Sequence, residues 1–285
     1  MPDIIIDELK VRTKIMKLNT QKSIGPDRIS AILLQKAVDV FVPILTKLFV
    51  KSYDDGNIPK LMKAANIVPI FKCGDKRSPN NYRPVSITSV ISKIYESIIR
   101  DDLQNHIDLH NIIIKNQHGL CASKSTSTNL LDFWNDVTDA PENLTSLSII
   151  YTDIKKAFDS VPHDLLLIKL KRYSIRGKNL KFFESYLNGR SQVVVISGEK
   201  SKSVPVMSGV RQGGVLSGTL FTLYINDLPD VLKFCKISMY ADDAKIYAPI
   251  TEPKDIDRVQ QDLDRVVEWC NMWRLRLNGE KCFLL

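Results

Sequence analysis

The sequence has no paired metal-binding cysteines, no secretory leader and no apolar run long enough to cross a membrane. Its five cysteines are odd in number and scattered, and no two are spaced C-x-x-C. This disfavours a disulfide framework and a zinc site and favours a reducing intracellular setting, in the cytoplasm or the nucleus. The first residues carry acids and only a very short apolar run, so we expect a protein that is not secreted. The longest uncharged run, residues 212–226, is shorter than the ~20 residues of a membrane-spanning helix, so no membrane partner is expected.

Tandem repeats and low-complexity tracts are also lacking, and the remaining composition is that of a globular protein. Of the 285 residues, 44% are hydrophobic and 25% are charged, which is typical of a chain that buries a core. The length allows one large domain or two modest ones. The formal net charge of +8 suits a polyanionic partner, although a basic surface also serves solubility alone.

Three pairs of adjacent aspartates occur, and one of them lies between two strand-like segments. Segments rich in Ile, Met and Tyr flank Asp242 and Asp243, which predicts a β-hairpin with the two carboxylates at its tip. Adjacent carboxylates repel each other, and a divalent cation is the usual counter-charge. The pair at 54–55 precedes a glycine and predicts a loop, whereas the pair at 101–102 lies on a helical pattern. From these residues alone, a metal site and an ordinary acidic turn remain equally open.

A second acid lies at the end of a mostly apolar segment, residues 147–154, which is typical of a buried central strand. A carboxylate there is costly to bury unless it faces a cation, a hydrogen-bond donor or solvent. Asp153 is therefore a candidate ligand. The alternative is a cap for the following helix, a role that Asp159 fits better than Asp153 does.

Two short β-prone segments, residues 65–72 and 82–87, predict a hairpin that carries Lys72 and Arg83 on its arms. Two cations on a projecting hairpin suit a phosphate chain, with the guanidinium as a bidentate fork. From composition alone, two solvated surface cations are the favoured interpretation. Residues 208–218 are rich in glycine, which allows close backbone approach to a ligand, but the signal is weak by itself.

The remaining periodicity supplies the other elements. Apolar residues at three- and four-residue steps predict helices over residues 1–50, 90–105, 123–131, 165–186 and 256–273, with Pro43 kinking or dividing the first. Residues 192–206 predict a hairpin, and residues 275–285 predict strand, turn and strand.

Several motifs, taken in order, resemble those of one family. They are KSIGPD at 22–27, NYRPVS at 81–86, QHG at 117–119, DIKKAFD at 153–159, SGVRQG at 208–213, YINDLP at 224–229, YADD at 240–243, and Trp273 followed by LN at 277–278 and KC at 281–282. The sequence resembles the reverse transcriptase domain of non-LTR (LINE-type) retrotransposons, in the jockey and CR1-like style, from about residue 22 to the last residue. The resemblance implies an α+β right-hand polymerase fold with fingers, a palm built on an antiparallel sheet, and a thumb mostly beyond Leu285. We expect residues 1–51 to form a helical extension leading into the fingers and residues 52–285 to form the reverse transcriptase domain.

The resemblance also implies a two-metal site. Asp153 and Asp242 would hold two Mg²⁺ ions, with Asp243 beside them, for nucleotidyl transfer to a primer 3′-hydroxyl. An all-aspartate site suits hard Mg²⁺, which prefers oxygen ligands. Phe158 matches the steric gate that crowds a ribose 2′-hydroxyl, and plain core packing is its alternative.

The other roles implied by the resemblance concern the nucleotide. Lys72 and Arg83 match the fingers cations on the triphosphate, which reverses the preference from composition. Gln212 and Gly213 match the loop that lines the incoming nucleotide, and Lys281 lies near a lysine position that assists pyrophosphate departure.

The sequence departs from the family pattern at a few places. Arg211 replaces a proline and Gly214 a serine, SGT stands at 217–219 where Gly-Pro is usual, and LCA at 120–122 replaces a Phe and basic residues. Arg211 is the most serious departure, because it removes a fixed backbone angle beside the nucleotide pocket and adds a long charged side chain.

Three functions are compatible with these observations. The first is an RNA-directed DNA polymerase that uses an RNA template, a DNA primer, dNTPs and Mg²⁺. The second is an inactive, truncated remnant that only binds RNA, which Arg211 and the missing thumb favour. The third is an RNA-dependent RNA polymerase, against which Phe158 and Ala241 argue.

Overall fold

The computed structural model describes residues 1–138 and 146–285. Its helices are α1 (Glu8–Met16), α2 (Ala31–Lys36), α3 (Val38–Asp55), α4 (Lys60–Lys63), α5 (Val90–Leu109), α6 (Thr126–Thr138), α7 (Ala157–Ser160), α8 (His163–Arg172), α9 (Gly177–Leu187), α10 (Ser217–Ile225) and α11 (Lys254–Met272), with short 3₁₀ turns at Pro79–Asn81 and Leu228–Val231. The strands are β1 (Ala64–Phe71), β2 (Tyr82–Thr88), β3 (Ser146–Thr152), β4 (Arg190–Ile196), β5 (Glu199–Lys200), β6 (Val204–Val206), β7 (Lys236–Tyr240), β8 (Asp243–Ile250) and β9 (Phe283–Leu284).

These elements form two compact units, each made of two stretches of chain. The first unit contains Met1–His110 and His163–Ser217, and the second contains Asn111–Pro162 and Gly218–Leu285. The predicted division into residues 1–51 and 52–285 remains a prediction.

The sheet of the first unit has the strand order β2-β1-β4-β5, with β6 paired to β4. Strands β1 and β2 are antiparallel, with Ile70 opposite Arg83 and Phe71 opposite Tyr82, so the predicted basic hairpin is confirmed. Strand β4 pairs with β1 in parallel and with β5 in antiparallel orientation. Helix α5 begins at a capping serine, Ser89, whose hydroxyl accepts hydrogen bonds from the backbone N–H groups of Ile91 and Ser92.

The sheet of the second unit has the strand order β7-β8-β3-β9. Strand β8 is antiparallel to both β7 and β3, and β9 is antiparallel to β3. This is the antiparallel sheet expected from the resemblance. Its buried side chains include Ile150, Ile237, Met239 and Ile246, and the apolar residues of α10 are almost completely removed from water. Burial of this kind contributes roughly 25 cal/mol per Å² of apolar surface.

Several local predictions are wrong in their details. Pro43 lies inside α3 and does not divide it, because buried residues on both sides, Val42 and Leu45, hold that face of the helix in the core, whereas the alternative of a kink stays a prediction. The predicted loop at 54–55 is the end of α3, which stops at Gly56 in the left-handed conformation (φ 63°). The predicted helix over 165–186 is two helices, separated where Ser174 and Gly177 adopt positive φ.

The C-terminal strands are also shorter than predicted. Residues 275–285 contain β9 and one isolated bridge between Leu277 and Ile154, instead of two regular strands. A backbone turn explains the difference, since the N–H groups of Lys281 and Cys282 both donate to the carbonyl of Asn278.

Candidate active site

The acidic turn joins β7 to β8. Tyr240 pairs with Asp243 across the hairpin, so Ala241 and Asp242 form a two-residue loop. The backbone of Ala241 is left-handed (φ 55°), a conformation in which glycine is favoured and an alanine is strained. The predicted hairpin with two carboxylates at its tip is therefore confirmed. Asp242 is half-buried and Asp243 is exposed.

The third aspartate lies next to this turn through the sheet. The last pair between β3 and β8 is Thr152 opposite Ala244, so one further step of the antiparallel register leads to Asp153 and Asp243. Asp153 does not cap the helix that follows, because α7 begins after Lys156 with no side-chain cap. Asp159 lies within α7 and is not its cap either. Folding thus brings the distant aspartates to one end of one sheet.

Two side chains from the C-terminal turn contact Asp153. Asn278 Nδ2 donates to Asp153 Oδ2 at 2.9 Å, and the Asn278 backbone N–H donates to the Asp153 carbonyl at 2.8 Å. The ammonium of Lys281 lies 3.3 Å from the same carboxylate oxygen. The LN motif at 277–278 is part of the family resemblance, but the sequence assigned no role to Asn278, since its contact with Asp153 exists only once the turn brings it to the end of β3. Lys281 was predicted on the pyrophosphate side, and that role remains a prediction.

Charge accumulates at the turn. Desolvation by burial, followed by the charges of Asp243 and Asp153, raises the pKa of Asp242 above its usual range, while Lys281 opposes the shift. Burial and the charge of Asp153 likewise raise the pKa of Asp243. Like charges that are withdrawn from water favour a proton or a cation.

The three aspartates suit a Mg²⁺ site in which the protein supplies only part of the coordination shell, and not a site closed by protein ligands alone. Among residues 1–138 and 146–285, no group of three or more His, Cys, Asp or Glu side chains forms a metal site by itself. Mg²⁺ is usually held by one or two carboxylates together with substrate phosphates and water, so a closed protein cage is not required. The all-oxygen donors and the raised pKa values of Asp242 and Asp243 match that kind of site.

Phe158 lies on α7 in the same unit. Its ring stacks on Phe221 of α10, with ring centroids 4.7 Å apart and an interplanar angle of 17°. The ring is half-buried, so one face packs while part of the side chain remains accessible. Packing and a gating role are therefore compatible, and the gating role remains a prediction.

The remaining predicted residues lie in the other unit, around β2. Lys72 and Arg83 are exposed, and the pairing of Ile70 with Arg83 puts both cations on one face of the hairpin. Across the two described segments, neither has an acidic partner within ion-pair distance. Such cations are available to an anionic ligand.

The glycine-rich loop is attached to the same strand. The backbone N–H of Ser86 donates to the carbonyl of Gln212 at 2.9 Å, and Gly213 is left-handed (φ 90°). This hydrogen bond places Gln212 and Gly213 beside β2, the strand that carries Arg83. The first unit contains Lys72, Arg83, Gln212 and Gly213, and the second contains the aspartates, Phe158 and Lys281. Within the second unit the structure brings Lys281 and the three aspartates together at one end of the sheet.

Arg211 does not add a free charge beside this loop, which corrects the expectation from sequence. Its side chain is 5% exposed and pairs with Glu96 at 3.3 Å, while Nη2 donates to the carbonyl of Lys63 at 2.8 Å. The guanidinium also lies over the ring of Tyr186, 5.4 Å from its centroid. The buried carboxylate of Glu96 therefore compensates the positive charge of Arg211 within the first unit.

Glu96 was missed in the sequence, although a signal was present. It lies on the buried stripe of α5 with Ser92 and Ile99, where an acid needs partners. The carboxylate accepts hydrogen bonds from Ser92 Oγ at 3.0 Å and Tyr186 OH at 3.2 Å, and from the Val215 backbone N–H at 3.1 Å.

Comparison with known proteins identifies the family. Residues 74–285 match the family model for reverse transcriptase (RNA-dependent DNA polymerase). The chain belongs to this family. The RNA-directed DNA polymerase from mobile element jockey of Drosophila melanogaster is 32% identical over 289 residues, covering 96% of this chain and 31% of the relative. The probable RNA-directed DNA polymerase from transposon X-element of the same species is 28% identical, covering 100% of this chain and 32% of the relative.

These matches confirm the resemblance to non-LTR retrotransposon reverse transcriptases, and the chain spans about a third of the length of these relatives. Among solved structures, the apo telomerase from Candida tropicalis truncated from its C-terminal domain has a TM-score of 0.57 at 14% identity, covering 90% of this chain and 56% of that one. The untruncated apo telomerase has a TM-score of 0.58 at 14% identity, covering 86% and 49%. The α+β polymerase fold of the reverse transcriptase domain is thereby confirmed. No helix in the described part of the chain has the length and apolar character that a bilayer crossing requires.

Proposed function

We propose that this chain is an RNA-directed DNA polymerase domain that extends a primer 3′-hydroxyl with dNTPs on an RNA template. The observation that carries the proposal is the end of the second sheet, where Asp153, Asp242 and Asp243 raise local negative charge beyond what Lys281 balances. The family match of residues 74–285 and the names of the relatives support the choice of polymer. The formal net charge of +8 suits a polyanionic RNA template.

Asp153 and Asp242 would hold two Mg²⁺ ions, with Asp243 beside them, and ions bound there supply Lewis acidity and neutralise phosphate charge. The chain itself contributes rigid placement, since nucleotidyl transfer needs position and charge more than a protein nucleophile. Asn278 fixes one oxygen of Asp153 by donating to it, and the short hairpin loop fixes the direction of Asp242. Lys281, which lies 3.3 Å from Asp153 Oδ2, would contact the departing pyrophosphate.

The nucleotide would be held by the other predicted residues. Lys72 and Arg83 would bind the triphosphate, Arg83 through a bidentate fork. Gln212 and Gly213 would line the incoming nucleotide. Phe158, fixed in orientation by its stack on Phe221, would crowd a ribose 2′-hydroxyl and so favour dNTP over NTP.

Primer extension with the purified full chain tests this function. With an annealed DNA primer, an RNA template, dNTPs and Mg²⁺, we expect template-dependent synthesis by the wild type and its loss in Asp153→Asn and Asp242→Asn. The matched control is Asp55→Asn, an exposed aspartate whose ion-pair partner within residues 1–138 and 146–285 is Lys51, one helical turn away. Synthesis that survives Asp242→Asn unchanged would remove the proposed role.

The inactive remnant that only binds RNA is the second candidate, and its main support is weaker than the sequence indicated. Arg211 is paired with Glu96 inside the first unit, so the residue that departs from the family pattern is accommodated. RNA binding without any incorporation by the wild type would favour the remnant. Incorporation of NTPs in preference to dNTPs would favour an RNA-dependent RNA polymerase.

A further inference from the structure

The segment at 117–119 has a structural role that its sequence did not reveal. Gln117 is 1% exposed, and its side-chain oxygen accepts hydrogen bonds from the backbone N–H of Ala241 at 2.9 Å and of Gly119 at 2.8 Å. The side-chain amide of Gln117 also donates to the carbonyl of Ala241 at 3.4 Å. One buried side chain therefore binds both backbone polar groups of the residue that precedes Asp242.

The backbone of the same segment is hydrogen-bonded to β7. The N–H of His118 donates to the carbonyl of Met239 at 2.9 Å, and the N–H of Met239 donates to the carbonyl of Asn116 at 2.9 Å. Gln117 and Met239 form a parallel bridge. Residues 116–119 thus lie along β7, and Gly119 packs against the backbone of the acidic turn.

Gly119 permits this approach. A Cβ atom at this position would lie 2.1 Å from the backbone nitrogen of Ala241 and 2.7 Å from the carbonyl carbon of Tyr240. Real Cβ atoms do not approach backbone atoms so closely, so a side chain here would displace the turn. The requirement for glycine comes from the turn and not from a positive φ of its own.

The turn needs external support because Ala241 is held in the left-handed region without the freedom of a glycine. Strain of this kind persists only when the surroundings impose it.

We propose that Gln117 and Gly119 are positioning residues that hold the Ala241 turn and thereby aim the carboxylate of Asp242. A glutamine suits this task because it offers an acceptor for two N–H groups and a donor for a carbonyl, with no added charge beside the aspartates. The inference rests on the proposed function, since the value of aiming Asp242 lies in nucleotidyl transfer.

Amide hydrogen exchange tests whether Gln117 holds the Ala241 turn, and it does so without an activity measurement. Gln117→Met keeps the volume and removes every polar contact, so we expect exchange of the Ala241 and Gly119 amides to become at least tenfold faster while the Met239 amide is unchanged. The matched control is Asn116→Ala, which removes a 2.8 Å hydrogen bond to the carbonyl of Ile237 on the same strand. It should leave the Ala241 amide protected. Equal protection of that amide in Gln117→Met and the wild type would overturn the proposal.

Steady-state kinetics test the consequence. Gln117→Met and Gln117→Asn, whose amide is one methylene too short, should each lower kcat at least tenfold with little change in the KM for dNTP. Adding Ala241→Gly should restore part of the kcat of Gln117→Met, because glycine adopts the turn without strain. If Gln117 were purely structural, replacing it would instead lower the thermal midpoint and leave kcat unchanged. That result would contradict the proposal.

The two hypotheses fail differently. A wild-type chain without Mg²⁺-dependent synthesis would refute the proposed function. The exchange measurement would still decide whether Gln117 holds the Ala241 turn. A wild-type chain that synthesises DNA, together with a Gln117→Met variant of equal kcat and an exposed Ala241 amide, would refute the positioning role alone.

Discussion

Glu96 in the first unit and Asp242 in the second are both carboxylates partly or wholly withdrawn from water, but their surroundings are opposite. Glu96 is 2% exposed and is surrounded by donors: the guanidinium of Arg211, the hydroxyls of Ser92 and Tyr186, and a backbone N–H. Burial, and then the charges of Asp243 and Asp153, raise the pKa of Asp242, and the opposing charge of Lys281 does not cancel the shift. Burial therefore does not distinguish a functional acid from a structural one, whereas missing compensation does.

The largest expected effect is the loss of activity on replacing Asp242, the carboxylate whose charge is not compensated. Asp242→Asn should reduce template-dependent synthesis by about a thousandfold, corresponding to about 4 kcal/mol of transition-state stabilisation, because it removes a proposed metal ligand. The urea midpoint should stay the same or rise, since a repelling charge is lost. Single-turnover extension and urea unfolding of the same preparation measure the two quantities. A large loss of stability would make Asp242 resemble Glu96 and break the comparison.

The opposite result is expected on the compensated side. Glu96→Gln leaves the buried guanidinium of Arg211 without its counter-charge, which should lower the free energy of unfolding by about 3–5 kcal/mol. Urea denaturation checks this value, and the activity of the folded fraction should be retained. The double variant Glu96→Gln with Arg211→Met serves as the control, because removing both charges should restore most of the stability. If the double variant is as unstable as the single one, the ion pair is not the reason.

A smaller effect is expected at Phe158. Phe158→Val shortens the side chain and should raise the ratio of NTP to dNTP incorporation by about 10- to 100-fold, in line with the discrimination available from hydrophobic contacts. The ring also packs on Phe221, so the thermal midpoint should fall modestly. Competition between NTP and dNTP on one template measures the ratio. An unchanged ratio with a lower midpoint would assign Phe158 to packing alone.

The smallest effect concerns a second compensated acid, Asp262 on α11. Burial acts to raise the pKa of this carboxylate, but hydrogen bonds from the backbone N–H groups of Cys235, Lys233 and Phe234 outweigh it and lower the pKa. A lowered folded-state pKa contributes stability that is present above the unfolded value of about 3.9 and is lost as pH falls through the folded value. Asp262→Asn should therefore be less stable than the wild type at pH 7, with a difference that shrinks below about pH 4. Urea midpoints across that range test the sign, and a constant difference would contradict it.

Features encoded in neighbouring residues were predictable from the sequence. The acidic hairpin, the basic hairpin and the strand ending at Asp153 follow from short β-prone runs and turn residues, whose preferences act over a few positions. The ordered motifs then predicted the family and the fold. The extents of elements were less predictable, as the uninterrupted helix through Pro43 illustrates, because tertiary packing overrides local preference.

Most partnerships between distant residues were not predictable from local patterns, and the resemblance to a family was what placed Asp153 with Asp242. Arg211 looked like a defect until Glu96 was found beside it, and Asn278 and Gln117 acquired roles once the fold brought them to Asp153 and Ala241. Their spacing along the chain reflects loop lengths rather than chemistry. The sequence signals for these residues were a glutamate on an apolar helix stripe and the motifs QHG at 117–119 and LN at 277–278, none of which named a partner.

Metal binding itself tests the central claim most directly. Mn²⁺ can replace Mg²⁺ at oxygen sites and is observed by electron paramagnetic resonance, so titration of the full chain with Mn²⁺ in the presence of a dNTP counts the bound ions. The account predicts saturable binding by the wild type and by Asp55→Asn, and its loss or strong weakening in Asp242→Asn. Equal Mn²⁺ binding by Asp242→Asn and the wild type would contradict the account.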